Sequence, residues 1–389
     1  MAPKDLRGKV AIVGASESDE MGKLPEKSVL TLHAESVRNA LDDAGLKLSD
    51  VDGLFMAGGS PETTVNDLCE YLGVVPRYVD STIVGGCSFI MHVEHAMLAL
   101  GAGVINTAVI SHGESGRSRV GLPLPSDESA THNGQFEDPF GTFGPTTTFS
   151  IPVTRHMHKY GTKREQLAEV SVATRKWAMM HPKARMKDPI AIQDVMQARM
   201  ICWPFTLLMC CLVTDAGGAI VLTTADRARD LKHKPVYVLG TGEAVSHERV
   251  SSMRDMTTSD CARVSGKAAF EMAGVKHSEI DVAELYDAFS FTPMLALEDL
   301  GFVGPGESGP FVEGQRTAPG GEFPMNTNGG GLSYTHSGMY GIFTLIELTR
   351  QLRGEAGERQ VKDAKIGIAH GPGGMFAAAS TLIAGNEVP

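Results

Sequence analysis

Ala40-Leu41-Asp42-Asp43-Ala44-Gly45-Leu46 returns 229 positions later as Ala269-Phe270-Glu271-Met272-Ala273-Gly274-Val275, and Asp50-Val51-Asp52 returns as Glu279-Ile280-Asp281 at the same spacing. A repeat of this kind restricts the fold strongly, because each copy carries the same local grammar. Val10-Ala11-Ile12-Val13-Gly14 reads as a buried strand, residues 28–44 as a helix, and residues 48–56 lead into a second strand. Later, Pro235-Val236-Tyr237-Val238-Leu239-Gly240 reads as a strand, residues 261–273 as a helix and residues 280–285 as a strand. In both copies a glycine, Gly45 or Gly274, stands where a helix ends on a left-handed residue. A second correspondence follows: Ala108-Val109-Ile110-Ser111-His112-Gly113 resembles Ile366-Gly367-Ile368-Ala369-His370-Gly371, each a strand closing on His-Gly, 258 positions apart. The chain is therefore expected to be an α/β protein of two related halves. Residues 1–117 with a return segment at 206–230 form the first, and residues 231–389 form the second.

Residues 118–205 fit neither copy. They begin with a passage rich in Pro, Gly, Ser and Thr at 121–150, continue as a charged helical run at 163–180, and rejoin a buried strand at 212–222. Such an excursion reads as a loop domain or lid over a site. The 389 residues, 42% of them hydrophobic, suffice for an extensive core. A net charge of -11 gives no general footprint for nucleic acid or an anionic membrane, so an anionic ligand needs a local basic patch. The six cysteines include no Cys-x-x-Cys pair, which argues against a zinc site and for a reducing compartment. No signal-peptide core or bilayer-length apolar run is present, and the expected location is cytoplasmic.

The chemistry-bearing residues cluster on glycine turns. Gly85-Gly86-Cys87 precedes apolar residues at helical spacing, so Cys87 is expected at a helix start, where amides and the helix dipole favour thiolate. The competing reading is a small buried hydrophobe. In the second half, Asn328 to Gly341 is the densest glycine passage and carries His336 just before another helical run. Shared topology would bring Cys87 and His336 together across a pseudo-twofold axis, although a lone histidine is usually structural. Tyr286 and Asp287 follow a strand's carboxyl end, where α/β folds gather ligand groups, and a core-capping tyrosine is the alternative. His370-Gly371-Pro372-Gly373-Gly374 ends a strand with consecutive amides suited to an oxyanion hole.

Together these blocks resemble the thiolase superfamily, and more closely the branch related to the thiolase domain of sterol carrier proteins. Gly86-Cys87-Ser88 matches the nucleophile turn, Tyr286-Asp287-Ala288-Phe289 the HDCF-like block, Thr335-His336-Ser337 the GHP-like block, and the segment from His370 to Gly374 the terminal CxG block. The resemblance implies a five-layered α/β/α/β/α fold, a loop domain that helps bind coenzyme A, a homodimer, and CoA as cosubstrate with no permanently bound cofactor. Two positions depart from the family's pattern: Tyr286 replaces histidine or asparagine, and His370 replaces the final cysteine. The tyrosine is similar to that of steroid side-chain aldolases, and the His-Gly ending to thiolases that work with a zinc-ribbon/OB-fold partner protein. The leading reading is acyl transfer on a 3-oxoacyl-CoA through an acyl-Cys87 intermediate. His336 then activates the thiol, His370 carries the α-carbon proton, and the amides of Cys87 with Gly373 or Gly374 hold the oxyanion. A retro-aldol lyase with Tyr286 as base and a non-catalytic thiolase-shaped subunit are the other two readings.

Overall fold

Strand β1 (Val10–Glu17) is apolar along nearly its whole length because it is covered on both faces. Val10 and Ile12 point into the central core, whereas Ala11 and Val13 point into a second cluster under helix α1 (Val29–Ala44). The computed structural model describes residues 4–58, 63–120, 131–142 and 144–388. After α1 come β2 (Gly53–Met56), α2 (Val65–Leu72), β3 (Tyr78–Asp80), α3 (Ser88–Gly101) and β4 (Thr107–Ser115). The excursion holds α4 (His132–Phe136), α5 (Gly144–Tyr160), α6 (Arg164–Met179), α7 (Ile192–Gln197) and the small ladder β5 (Met200–Cys202) with β6 (Phe205–Thr206). The chain returns through β7 (Asp215–Thr224) and α8 (Ala225–Ala228). It then runs through β8 (Val236–Val245), α9 (Asp260–Ala273), β9 (Val282–Leu285), α10 (Thr292–Asp299), α11 (Ser308–Val312), α12 (Gly341–Arg353), β10 (Ile366–Gly373) and β11 (Ala378–Gly385).

Nine strands form one mixed sheet in the order β3-β2-β4-β7-β1-β8-β11-β10-β9. Outward from the β1–β8 seam the sequence is β7, β4, β2 on one side and β11, β10, β9 on the other, with the same parallel and antiparallel pairings. Helix α1 covers one flank and α9 the other, while α3 and α12 lie between and touch strands of both halves. That is the layering α/β/α/β/α.

The repeat survives in atomic detail. Ser28 and Ser259 cap α1 and α9, and Gly45 (φ 71°) and Gly274 (φ 66°) close them. The Asp52 carboxylate accepts from the Asn106 and Thr107 amides at the start of β4, as that of Asp281 accepts from Lys365 and Ile366 at the start of β10. A side chain in the left-handed region is strained, so Gly45→Ala and Gly274→Ala are each expected to cost about 1 kcal/mol in a denaturant melt. Neither position faces the site described below, so activity should be unchanged.

Two expectations need correction. Helix α5 begins at Gly144, inside the passage rich in Pro, Gly, Ser and Thr for which no helix was expected, and Thr146, Thr147 and Thr148 continue it because Phe149 and Val153 pack into the core. The two His-Gly strand ends also differ by one register step. Met56 pairs with Ser111, whereas Leu285, its counterpart 229 positions on, pairs with His370. The counterpart of His370 is therefore Ser111, and a one-residue shift turns the side chain to the opposite face.

A candidate active site where the central helices begin

The two central helices start beside each other. Cys87 caps α3, and the Gly341 amide at the start of α12 donates to the Gly86 carbonyl at 3.1 Å. The turn before α3 is pinned by Ser88, whose hydroxyl donates to the Gly85 carbonyl (2.7 Å) and accepts from the Val84 amide (2.9 Å). Gly85 takes φ 92°, whereas Gly86 serves close approach: a Cβ there would stand 2.0 Å from Tyr286 Cε1. On the other side, a Cβ on Gly373 would come 2.7 Å from Cys87 Sγ, and one on Gly85 would come 2.3 Å from the Gly374 nitrogen. Cys87 and Tyr286, with the glycine pair Gly373 and Gly374, thus surround one small space.

Tyr286 directly follows β9, its amide donating to the His370 carbonyl and its own carbonyl accepting from Thr292 Oγ1. Its hydroxyl lies 2.8 Å from His336 Nε2. His336 is anchored through its backbone, which exchanges hydrogen bonds with Thr214 just before β7. Its Nδ1 accepts from the Gly338 amide at 3.4 Å, so in the neutral ring the proton sits on Nε2 and is donated to Tyr286 Oη. That leaves the phenol proton free for another acceptor. Burial lowers the His336 pKa to about 4 and raises that of Tyr286 well above its ordinary value, with Cys211, Asp287, Glu114 and Cys87 adding to the rise. At neutral pH the pair is a neutral imidazole behind a neutral phenol. Asp287 supports the glycine passage by accepting from the Gly331 (2.6 Å) and Leu332 (3.3 Å) amides. Burial raises its pKa to about 7 against those two bonds.

The Cys87 thiol departs from the sequence expectation. It is fully buried, and desolvation, with Cys261 next in weight, pushes its pKa up, so burial outweighs the helix terminus and the resting group is a thiol. Neither expected histidine hydrogen-bonds to it: His336 is engaged by Tyr286 and Gly338, and His370 Nδ1 by Thr381 Oγ1 at 2.8 Å.

His370 is not brought to this space. Gly371 faces Tyr286 and Ile90, and Gly373 faces Cys87; alternation along β10 therefore sends His370 to the other face, where it lines a small cavity with Leu295, Ala296 and Asp299 of α10. Its pKa is lowered to about 3 by burial rather than tuned near neutrality. Sequence reasoning also missed Tyr340, whose ring lies parallel to that of His336 at 6.2 Å and whose hydroxyl donates to Asn328 Oδ1. Glu114, two residues beyond His112 on the same face of β4, was missed too, although its carboxyl group lies against Gly338 on the turn that follows His336; the alternation of that strand was the available signal.

Residues 242–386 match a family model described as thiolase C-terminal domain-like. The chain is 33% identical over 388 residues to an acetyl-CoA acetyltransferase of Methanothermobacter thermautotrophicus, covering 96% of this chain and 98% of the relative. It is 35% identical over 364 residues to a 17-hydroxy-3-oxo-4-pregnene-20-carboxyl-CoA lyase of Mycobacterium tuberculosis, covering 90% and 92%. Among solved structures it resembles the Ltp2-ChsH2(DUF35) aldolase, with TM-score 0.89, 30% identity and 98% of each chain covered.

Proposed function

Since the chain belongs to the thiolase superfamily, in its sterol-carrier-protein-type branch, we propose that it cleaves or forms a carbon–carbon bond beside the thioester carbonyl of a CoA ester by aldol chemistry. The observation that carries this reading is the 2.8 Å contact between Tyr286 Oη and His336 Nε2. In a retro-aldol step a 3-hydroxyacyl-CoA loses its hydroxyl proton, the Cα–Cβ bond breaks to give an aldehyde or ketone, and the electron pair becomes a thioester enolate. A neutral phenol backed by a neutral imidazole is suited to donate to that enolate oxygen. The raised Tyr286 pKa makes the phenol a donor rather than the base that the sequence suggested. No step of this reaction needs Cys87 as a nucleophile.

Acyl transfer is the second reading, favoured by the backbone of Gly373 and Gly374 against the Cys87 turn, an arrangement fit to hold a tetrahedral oxyanion beside an attacking sulfur. The Tyr286 contact ranks it second, because it occupies the histidine expected to take the thiol proton. Incubation with 3-hydroxyacyl-CoAs and 3-oxoacyl-CoAs, with and without free CoA, separates the two. Aldol cleavage is expected to give a carbonyl compound and a shortened acyl-CoA from the 3-hydroxyacyl-CoA without free CoA. Acyl transfer requires the 3-oxoacyl-CoA and CoA together.

The remaining assignments belong to the same proposal. Coenzyme A esters are the substrates, the excursion at 118–205 is the loop domain that covers them, and the assembly is a homodimer. A zinc-ribbon/OB-fold partner is supported by the likeness to the Ltp2-ChsH2(DUF35) aldolase. Six unpaired cysteines fit a reducing, cytoplasmic setting.

A further inference from the structure

With His370 on the far face of β10, the proton carrier expected from the sequence does not reach the site, whereas the Glu114 carboxyl group stands against the turn that follows His336. Glu114, near the end of β4, points to the central face together with His112, whose Nε2 lies 2.9 Å from Ser337 Oγ. Its carboxyl group lies directly on the turn that follows His336: a Cβ on Gly338, which has φ 98°, would meet Oε1 at 2.4 Å and Oε2 at 2.5 Å. Only glycine leaves room for a carboxyl there. The same Gly338 amide donates to His336 Nδ1, so Glu114 sits one residue contact from the His336–Tyr286 pair. Among the described residues its Oε2 is buried with no hydrogen-bond partner, a costly arrangement for a group with a purely structural role.

We propose that Glu114 is the proton carrier of this site, a role that rests on the CoA-ester reading above. Its carboxylate takes the proton of the substrate hydroxyl as the Cα–Cβ bond breaks, and the resulting carboxylic acid returns that proton to the α-carbon of the enolate. No proton is gained or lost over the cycle, and no redox partner enters. In acyl transfer the same group takes the Cys87 thiol proton and delivers it to the departing acyl-CoA enolate, so the assignment does not depend on which chemistry operates.

The surroundings suit the task. Burial raises the Glu114 pKa to about 7, against a lowering by Arg119 further along its own segment. Beside Arg119, the ionisable groups that face it are His112 on its own strand and, from the second half, His336 and Tyr286. A group balanced near neutrality serves as base and acid in one cycle.

The test is exchange of the α-protons of acetyl-CoA with solvent deuterium, followed by mass from pH 5.5 to 8.5, since exchange needs the carrier but no bond cleavage. Wild-type protein is expected to exchange with a rate that rises through about pH 7 as the carboxylate forms. Glu114→Gln, nearly isosteric, is expected to lose about 10²–10⁴-fold, and Glu114→Asp to recover part of it. Undiminished exchange in Glu114→Gln overturns the assignment while leaving the CoA-ester reading in place. Absence of exchange in the wild type overturns both. Should Glu114→Gln fail to fold, the wild-type profile decides alone: a rate independent of pH across this range overturns the proposal.

Discussion

Tyr286→Phe is expected to lower turnover of a CoA ester by about 10²–10⁴-fold while leaving the fold intact, the range typical of losing one positioned proton donor or oxyanion partner. The ring stays, so its packing against Gly86 and Gly371 is kept and only Oη is removed. The loss should fall on kcat, because the hydrogen bond strengthens as charge develops on the thioester oxygen. Deleting Oη also strips His336 Nε2 of its buried acceptor, which is expected to cost about 1–3 kcal/mol of stability. Steady-state kinetics with a denaturant melt check both halves. A phenylalanine variant with wild-type kcat would place the chemistry elsewhere.

Gly86→Ala is expected to be comparably severe for a different reason. The added Cβ would stand 2.0 Å from Tyr286 Cε1 and 2.9 Å from Cζ, so the ring must move. The backbone has little freedom to withdraw, because the Gly86 carbonyl accepts from Gly341 and ties α3 to α12. Movement of the ring breaks the 2.8 Å contact with His336, and a displacement of about 1 Å at a reacting group costs on the order of 10²-fold in rate. Overpacking should also cost about 1–3 kcal/mol. The expected outcome is a folded protein with lowered melting temperature and at least a hundredfold lower kcat. Near-normal turnover would show that the Tyr286 position is not critical.

The fold was largely legible because it rests on local signals that occur twice. Ser28 and Ser259 mark helix starts, Gly45 and Gly274 mark helix ends, and the apolar runs at Val10 and Val236 mark strands buried on both faces. Cys87, Tyr286 and His336 were legible because glycine turns and strand ends announce them. What escaped was orientation. The faces of His370 and Glu114 depend on strand register, which is set by pairing with β9 and β2, and a single step reverses a face. The thiol's state escaped for a related reason. Placement at a helix start is visible in sequence, whereas complete burial depends on Gly373, which lies 286 positions further along the chain and closes against the sulfur.

The central claim is that carbon–carbon bond chemistry proceeds from the Tyr286–His336 pair without a covalent intermediate on Cys87. The most direct measurement is turnover by Cys87→Ala of a 3-hydroxyacyl-CoA that the wild type cleaves, with products and intact protein both followed by mass. The account predicts a carbonyl compound and a shortened acyl-CoA at a rate within about tenfold of wild type, since the variant loses packing but no reacting group, and an unmodified mass for wild-type protein quenched during turnover. An inactive Cys87→Ala variant together with an acyl adduct on wild-type Cys87 would contradict it and assign the site to acyl transfer.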